Sequence, residues 1–206
     1  MNGREKLLLA ASMFAAVLIV VIGITAMPWP GDVTLARATQ ALLPAGPGWA
    51  QWLSHTAEAP REFGVLVIVI ALGAWWVSWR GGLLAIASFI GMWVLDKLLR
   101  LVIFQPRPDL ALIHVAGHPT GSSFPSTFAL TYGATSAIWR CWVRCGRAAG
   151  RGLRRWRPAS CCWSQATARE WCWAHWPSEV AVSYLLALVW AGFLLRWVPS
   201  SSITTI

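Results

Sequence analysis

Four long apolar stretches constrain this chain more than any other feature of its sequence. Each is close to the ~20 residues that an α-helix needs to cross the hydrocarbon core of a bilayer. They cover residues 7–27, 64–79, 82–104 and 180–198. Charged residues make up only 12% of the 206 residues, about half the roughly 25% of a soluble domain, so too little charge is available to coat a water-facing surface. The sequence predicts an all-α, polytopic membrane helix bundle that forms a single domain over residues 1–206.

Basic residues indicate which ends of these stretches face the cytoplasm. Arg4 and Lys6 precede the first stretch, and its apolar core exceeds the 7–15 residues of a cleavable signal peptide, which favours an uncleaved helix with a cytoplasmic N-terminus. Seven of the 17 basic residues lie between Arg140 and Arg157. Such a block is also found in nucleic-acid-binding patches, but beside membrane spans it is typical of a cytoplasmic loop. We therefore expect a lipid bilayer, and no nucleic acid, as partner.

The helix directions that follow bring three polar clusters to the outer face. The segment over 28–62, rich in Pro and Gly, should lie outside along the membrane surface. The helix over 82–104 then runs outward, becoming basic before two prolines stop it, and a fourth helix over 124–140 returns inward. A fifth crossing over 158–173 is needed to bring His175 back to the outer face.

The three clusters carry groups suited to binding and attacking a phosphate. Arginine donates bidentately to phosphate oxygens, and its charge is permanent. A histidine followed four residues later by a carboxylate can be oriented by it, one ring nitrogen remaining free to attack phosphorus. Taken singly, an arginine at a helix end is more often a snorkelling residue, and a histidine next to Trp176 an interfacial cap. The clusters contain Arg100 and Arg107, then Ser126 in the run Ser122–Ser126, then Arg169, His175 and Glu179.

Together these clusters resemble the three-part signature of the type 2 phosphatidic acid phosphatase family. The matching elements are Arg-x6-Arg-Pro, Phe-Pro-Ser and Arg-x5-His-Trp-Pro-Ser-Glu, in that order between Arg100 and Glu179. The resemblance implies a six-helix membrane enzyme that hydrolyses lipid phosphates or diphosphates, such as phosphatidate or undecaprenyl diphosphate, through a phosphohistidine and without metal or other cofactor. It implies an inner (plasma) membrane location, with the site facing the periplasm or cell exterior. The implied residues are His175 as nucleophile, Glu179 as its orienting carboxylate, and Arg100, Arg107, Ser126 and Arg169 as the phosphate cradle.

Departures from the signature leave other classes of function open. Thr127 and Phe128 stand where the family has Gly-His, and Ala168 stands where it has serine. The family's histidine is the general acid for the leaving group, and such an acid typically contributes a factor of about 100 to 10,000. The enzyme is therefore expected to be slow unless its leaving group is already a good one, as in a diphosphate. One alternative is a catalytically inactive relative that acts as a lipid-binding or structural membrane protein. Another is a membrane structural or transport subunit whose arginines are only interfacial.

The stretch from Arg144 to Trp173 has a composition that is not typical of a membrane helix. It contains a single large aliphatic residue, Leu153, and insertion of each arginine at a helix centre costs about 2.5–3.5 kcal/mol. The fifth helix over 158–173 is therefore expected to be abnormal. Zinc binding by the cysteines is one alternative explanation, but their spacings fit no regular finger, so no metal site is predicted. The five are Cys141, Cys145, Cys161, Cys162 and Cys172.

The genetic code offers a different explanation for this stretch. Reading the codons of residues 169–173 from their third base allows Arg-Val-Val-Leu-Gly, followed by Ala174 and His175, which fits the family's third element better. The same shift over 160–165 allows Leu, Leu, Leu, Val, Ala and Gly, an apolar run. Our hypothesis is that residues 144–173 are translated out of frame between two compensating slips. Resequencing the gene tests it, since an unbroken frame in an active protein would contradict it.

Overall fold

The computed structural model of the protein describes residues 28–42, 60–76, 79–109, 111–113, 121–145 and 175–196, together with 13, 52, 55–57 and 115. These residues form helices and contain no strand. The helices are α1 (Asp32–Leu42), α2 (Arg61–Trp76), α3 (Trp79–Val102), α4 (Thr127–Cys145) and α5 (Pro177–Arg196).

The helices α2 to α5 overlap four of the predicted membrane helices. Of these, α3 over Gly82–Val102 and α5 over Pro177–Leu195 are long and apolar enough to cross a bilayer. Large apolar side chains of α3, among them Ile90, Val94 and Leu98, remain exposed, as expected of a surface that faces lipid. The predicted first helix, apart from Met13, and the predicted fifth helix lie outside the described residues, as does residue 146 onward of the stretch assigned to a shifted frame.

The helix α1 was not predicted, because the segment over 28–62 reads as a polar surface stretch. Its start has a local cause. Gly31 adopts a φ of 101°, a left-handed conformation that glycine tolerates, and the Asp32 carboxylate accepts a hydrogen bond from the Trp29 backbone N–H at 2.8 Å. The helix buries Ala36 completely and exposes Leu35 and Leu42. A short amphipathic helix therefore lies on the bundle beside the start of α5.

The core of the bundle forms where α4 packs against α5, with α3 contacting both and α2 packing on α3. Gly133 of α4 permits the close approach of α5, since a Cβ built there would lie 2.8 Å from the Tyr184 ring and 2.9 Å from the Ala187 Cβ. The buried core residues are Met92, Phe124, Leu130, Ala134, Val182, Leu186 and Ala187.

We expect Gly133→Ala to destabilise the bundle by about 1–3 kcal/mol, because the added methyl group has to push α4 and α5 apart. Gly192→Ala on α5 is the matched control, since a Cβ there meets nothing within 4 Å and alanine favours a helix over glycine. Thermal unfolding in detergent should show a lower midpoint for the first variant and an equal or higher midpoint for the second. Equal midpoints for both variants would contradict the close packing of α4 against α5 at Gly133.

Candidate active site

His175 is buried at the start of α5, with 6% of its surface exposed, and its ring contacts the loop that precedes α4. The ring Nδ1 lies 2.6 Å from the carbonyl oxygen of Ser123. A carbonyl oxygen can only accept a hydrogen bond, so Nδ1 carries the proton. In the neutral ring the lone pair then resides on Nε2. The backbone of the loop thus fixes the tautomer that leaves Nε2 nucleophilic.

Glu179 lies one turn after His175 and has no exposed surface. Its Oε2 accepts hydrogen bonds from the Ser123 hydroxyl and from the Trp176 backbone N–H, the latter at 3.1 Å. The same oxygen is 3.7 Å from His175 Nδ1, farther than the Ser123 carbonyl. Its Oε1 is buried without a hydrogen-bond partner among the described residues. The carboxylate therefore lies beside the imidazole, where its charge stabilises a positive ring, while the direct acceptor is a backbone group.

The sequence around His175 explains why the turn has this shape. Pro177 occupies the first position of α5, where its missing N–H costs nothing and its fixed φ suits a helix start. Glu179 follows at the third position, from which an acidic side chain reaches back to the N–H of the capping residue, here Trp176. The motif that resembles the phosphatase signature is thus also a helix-start signal.

The loop before α4 is attached to the end of α3. The Ser123 N–H donates to the Gln105 carbonyl at 2.8 Å, and the Gln105 N–H donates to the Ser122 hydroxyl oxygen at 3.1 Å. The Ser122 hydroxyl in turn donates to the Phe124 carbonyl at 2.8 Å, and the Phe124–Pro125 peptide bond is cis. These bonds hold Ser123 where its carbonyl and hydroxyl both face the start of α5.

Arg100 joins α3 to the same loop. Its Nη1 donates to the Ser122 carbonyl at 2.8 Å, and its Nη2 donates to the Pro125 carbonyl at 2.7 Å and to the Thr127 hydroxyl at 3.2 Å. Its Nε donates to Asp96 Oδ1 at 3.1 Å. The same oxygen also accepts a hydrogen bond from the Thr127 hydroxyl at 3.0 Å. Asp96 is only 1% exposed. Among the described contacts, one of the five guanidinium N–H groups is left for a further acceptor.

Two other residues predicted for the phosphate cradle have different surroundings. Ser126 is completely buried, and its hydroxyl oxygen accepts the Ala129 N–H at 3.3 Å, so that it caps α4. Its own N–H donates to the Ser183 hydroxyl oxygen at 3.1 Å. Arg107 is half-buried and lies two residues after Gln105, in the segment attached to the loop. Arg169 lies outside the described residues.

The three clusters therefore meet at one end of the bundle as far as the structure describes them. The end of α3 bonds the loop through Arg100, and the loop bonds the start of α5 through Ser123. The residues that the structure brings together there are Arg100, the Ser122–Thr127 loop, His175 and Glu179.

Phe128, which stands where the resembled phosphatase signature has its second-element histidine, lies in an apolar cluster. It is 2% exposed, and its ring centroid is 4.7 Å from that of Tyr132. Ala57 and Val65 complete the cluster. The side chain at this position therefore cannot donate a proton as a histidine would.

The described residues contain no group of three or more His, Cys, Asp or Glu side chains placed to hold a metal ion. The cysteines of the zinc alternative have no described side chains.

Several residues of the site were not singled out from the sequence. The orienting atom on Ser123 is a backbone carbonyl, which every residue type carries, so no side-chain pattern could have identified it. Asp96 and Thr127 form a buried polar cluster with Arg100. Asp96 lies four residues before Arg100 on α3, and this ion-pair spacing was the available signal.

A search of protein-family models and a search of curated proteins found no match. A solved membrane protein has a similar fold. It is the structure described as the first transmembrane PAP2 type phosphatidylglycerolphosphate phosphatase, from Bacillus subtilis. The TM-score is 0.61 and the sequence identity 17%, and the match covers 90% of this chain and 94% of the other. At this identity the likeness shows the fold, which is that of a transmembrane helix bundle.

Proposed function

We propose that the protein is a membrane lipid phosphate or diphosphate phosphatase that acts through a phosphohistidine on His175. The observation that carries the proposal is the 2.6 Å contact between His175 Nδ1 and the Ser123 carbonyl, which puts the proton of the neutral ring on Nδ1 and its lone pair on Nε2. The likeness to a transmembrane PAP2 type phosphatase supports it at the level of the fold.

The proposed reaction has two displacement steps. The Nε2 lone pair forms a bond to phosphorus while the bond from phosphorus to the leaving oxygen breaks, and that oxygen takes a proton from water. The phosphorylated ring keeps its Nδ1 proton and is positive, a charge that the adjacent Glu179 carboxylate stabilises. Water then attacks phosphorus, the bond to Nε2 breaks, and inorganic phosphate and a neutral imidazole are released, with the surplus proton of the water passing to solvent.

Phosphate binding is proposed to depend mainly on Arg107 and Arg169, whose guanidinium groups would offset the charge on the equatorial oxygens. Arg100 would add at most one hydrogen bond, since its other N–H groups are held by protein acceptors. Ser126 would act by capping α4, because its hydroxyl is enclosed. We therefore propose that Arg100 mainly holds the loop and that Ser126 caps α4, and that neither forms the main part of the phosphate cradle.

The proposed substrate class, a lipid phosphate or diphosphate, is supported by the fold and by Phe128. The solved relative is named for a lipid phosphomonoester, phosphatidylglycerol phosphate. With Phe128 buried among apolar groups, a leaving group that needs no protonation, such as the polyprenyl phosphate released from a polyprenyl diphosphate, would react faster. We place the protein in the inner (plasma) membrane with this site on the outer face.

Phosphate release from purified protein in lipid vesicles tests the proposal. Vesicles carrying undecaprenyl diphosphate, phosphatidate or phosphatidylglycerol phosphate are incubated with and without EDTA, and a water-soluble phosphomonoester serves as comparison. We expect release from the lipid substrates, fastest from the diphosphate and unaffected by EDTA. Absence of release from all three lipids would contradict the proposal.

Restoring the general acid gives a separate prediction. Phe128→His is expected to raise the rate on phosphatidate by up to the factor of about 100 that a positioned acid typically provides, and to change the rate on the diphosphate much less. Phe128→Asn is the control, since it also introduces a polar group into the apolar cluster but has no group acidic enough to protonate a leaving oxygen. Equal rates for the histidine and asparagine variants would count against an acid at this position.

The second candidate is a catalytically inactive relative that binds lipid phosphate, which the burial of Phe128 favours. It is identified by binding of phosphatidate vesicles without release of phosphate, both in the wild type and in Phe128→His.

A further inference from the structure

Asp32 bridges the surface helix α1 and the turn that carries His175. It is 5% exposed and accepts three hydrogen bonds. One comes from the Trp29 N–H of its own helix start at 2.8 Å. The others come from the Ser178 backbone N–H at 3.0 Å and the Ser178 hydroxyl at 2.6 Å. A carboxylate that lies 146 residues earlier in the chain thus caps the first turn of α5.

This turn needs acceptors that its own helix does not supply, because the first four N–H groups of an α-helix have no partner within it. Glu179 satisfies the Trp176 N–H, and Asp32 satisfies the Ser178 N–H. Ser178 lies between His175 and Glu179, so the bond to Asp32 holds the backbone between the two residues of the proposed chemistry.

Apolar and polar contacts hold α1 in the position that makes this bond. Ala36 of α1 packs against Trp176 in a cluster that includes Ile113. Arg37, the next residue of α1, donates from Nε to the Leu112 carbonyl at 2.8 Å, beside Ile113 of this cluster. The start of α5 is therefore held both by the loop at Ser123 and by α1.

The geometry points to Asp32 as a positioning residue for the His175 nucleophile, acting through Ser178. This inference rests on the proposed function for the reaction that His175 performs. Releasing Ser178 would let the turn shift relative to the loop, and a misplacement of about 1 Å in a catalytic group can lower the rate on the order of 100-fold. The phosphate itself would still be bound by the arginines, so the loss should fall on kcat.

The test compares kcat and KM for Asp32→Ala, Ser178→Ala and the double variant, with Thr39→Ala as control. Thr39 lies on α1, and its hydroxyl bonds the Leu35 carbonyl within the same helix. We expect each single variant to lower kcat by about 10- to 100-fold with KM changed by less than about twofold, and the double variant to be no slower than the worse single. Asp32→Asn, whose amide oxygen still accepts from the Ser178 N–H, should recover most of the rate.

Three outcomes would overturn the inference: an unchanged kcat in Asp32→Ala, single effects that multiply in the double variant, or a loss as large in Thr39→Ala. If the wild type itself releases no phosphate, the proposed function fails. The contact is then decided by the unfolding midpoints of the wild type, Asp32→Ala, Ser178→Ala and the double variant, in which non-additive shifts support it and additive shifts overturn it.

Discussion

Replacing His175 with alanine is expected to abolish phosphate release, with a fall in kcat of at least about 1000-fold. Among the described residues of the site, the proposed reaction gives no role as nucleophile to Ser123 or Ser126, both of which are completely buried. Phosphate release from the lipid substrate that is fastest for the wild type is the measurement.

Misfolding must be separated from loss of chemistry in this experiment. His175→Asn is the matched variant, because its amide group can still donate to the Ser123 carbonyl while offering no nucleophilic nitrogen. It should unfold close to the wild-type midpoint and be as inactive as His175→Ala. Release within about tenfold of wild type in the folded asparagine variant would show that the histidine is not the nucleophile.

Replacing Arg100 with alanine is expected to give the largest loss of stability, about 3–5 kcal/mol. The substitution leaves the buried Asp96 carboxylate without its guanidinium partner and removes the donors of the Ser122 and Pro125 carbonyls. The loop that positions Ser123 would lose its attachment to α3. Thermal unfolding in detergent should show a much lower midpoint, and activity should fall with it.

Lys97→Ala provides the comparison on the same carboxylate. Lys97 lies 3.4 Å from Asp96 Oδ2, but 53% of its side chain is exposed, so its removal should cost no more than about 1 kcal/mol. Arg100→Lys keeps the charge but cannot bridge two carbonyls and a carboxylate, and should recover only part of the loss. Equal destabilisation by Lys97→Ala and Arg100→Ala would contradict the role given to the guanidinium.

Much of the bundle was predictable because membrane helices leave a strong signal in sequence. Uninterrupted apolar runs identified the regions of α2, α3 and α5, and Pro125 with the following residues identified that of α4. The surface helix α1 was missed, since its start depends on the conformation of Gly31 and on the Asp32 carboxylate, and its buried face is narrow. The Asp32 carboxylate also bonds Ser178, which lies 146 residues later in the chain, so no local sequence pattern reveals this contact.

For the candidate site, the sequence indicated which residues take part but not how they are arranged. Sequence motifs selected His175, Glu179 and Arg100, and the structure brings these to one end of the bundle. The motifs did not reveal that a backbone carbonyl is the closest partner of His175 Nδ1, nor that Arg100 is largely occupied by protein acceptors. Such details depend on the path of the loop backbone, which side-chain identities do not specify.

The most direct measurement of the central claim is the detection of phosphate on the ring of His175 during turnover. Protein mixed with the fastest lipid substrate is quenched in alkali, in which a phosphorus–nitrogen bond survives, and digested for mass spectrometry. The account predicts one phosphoryl group on the peptide that contains His175, lost on mild acid treatment and absent from His175→Asn. Sustained phosphate release with no phosphoryl group on His175, or with the group on a serine, would contradict it.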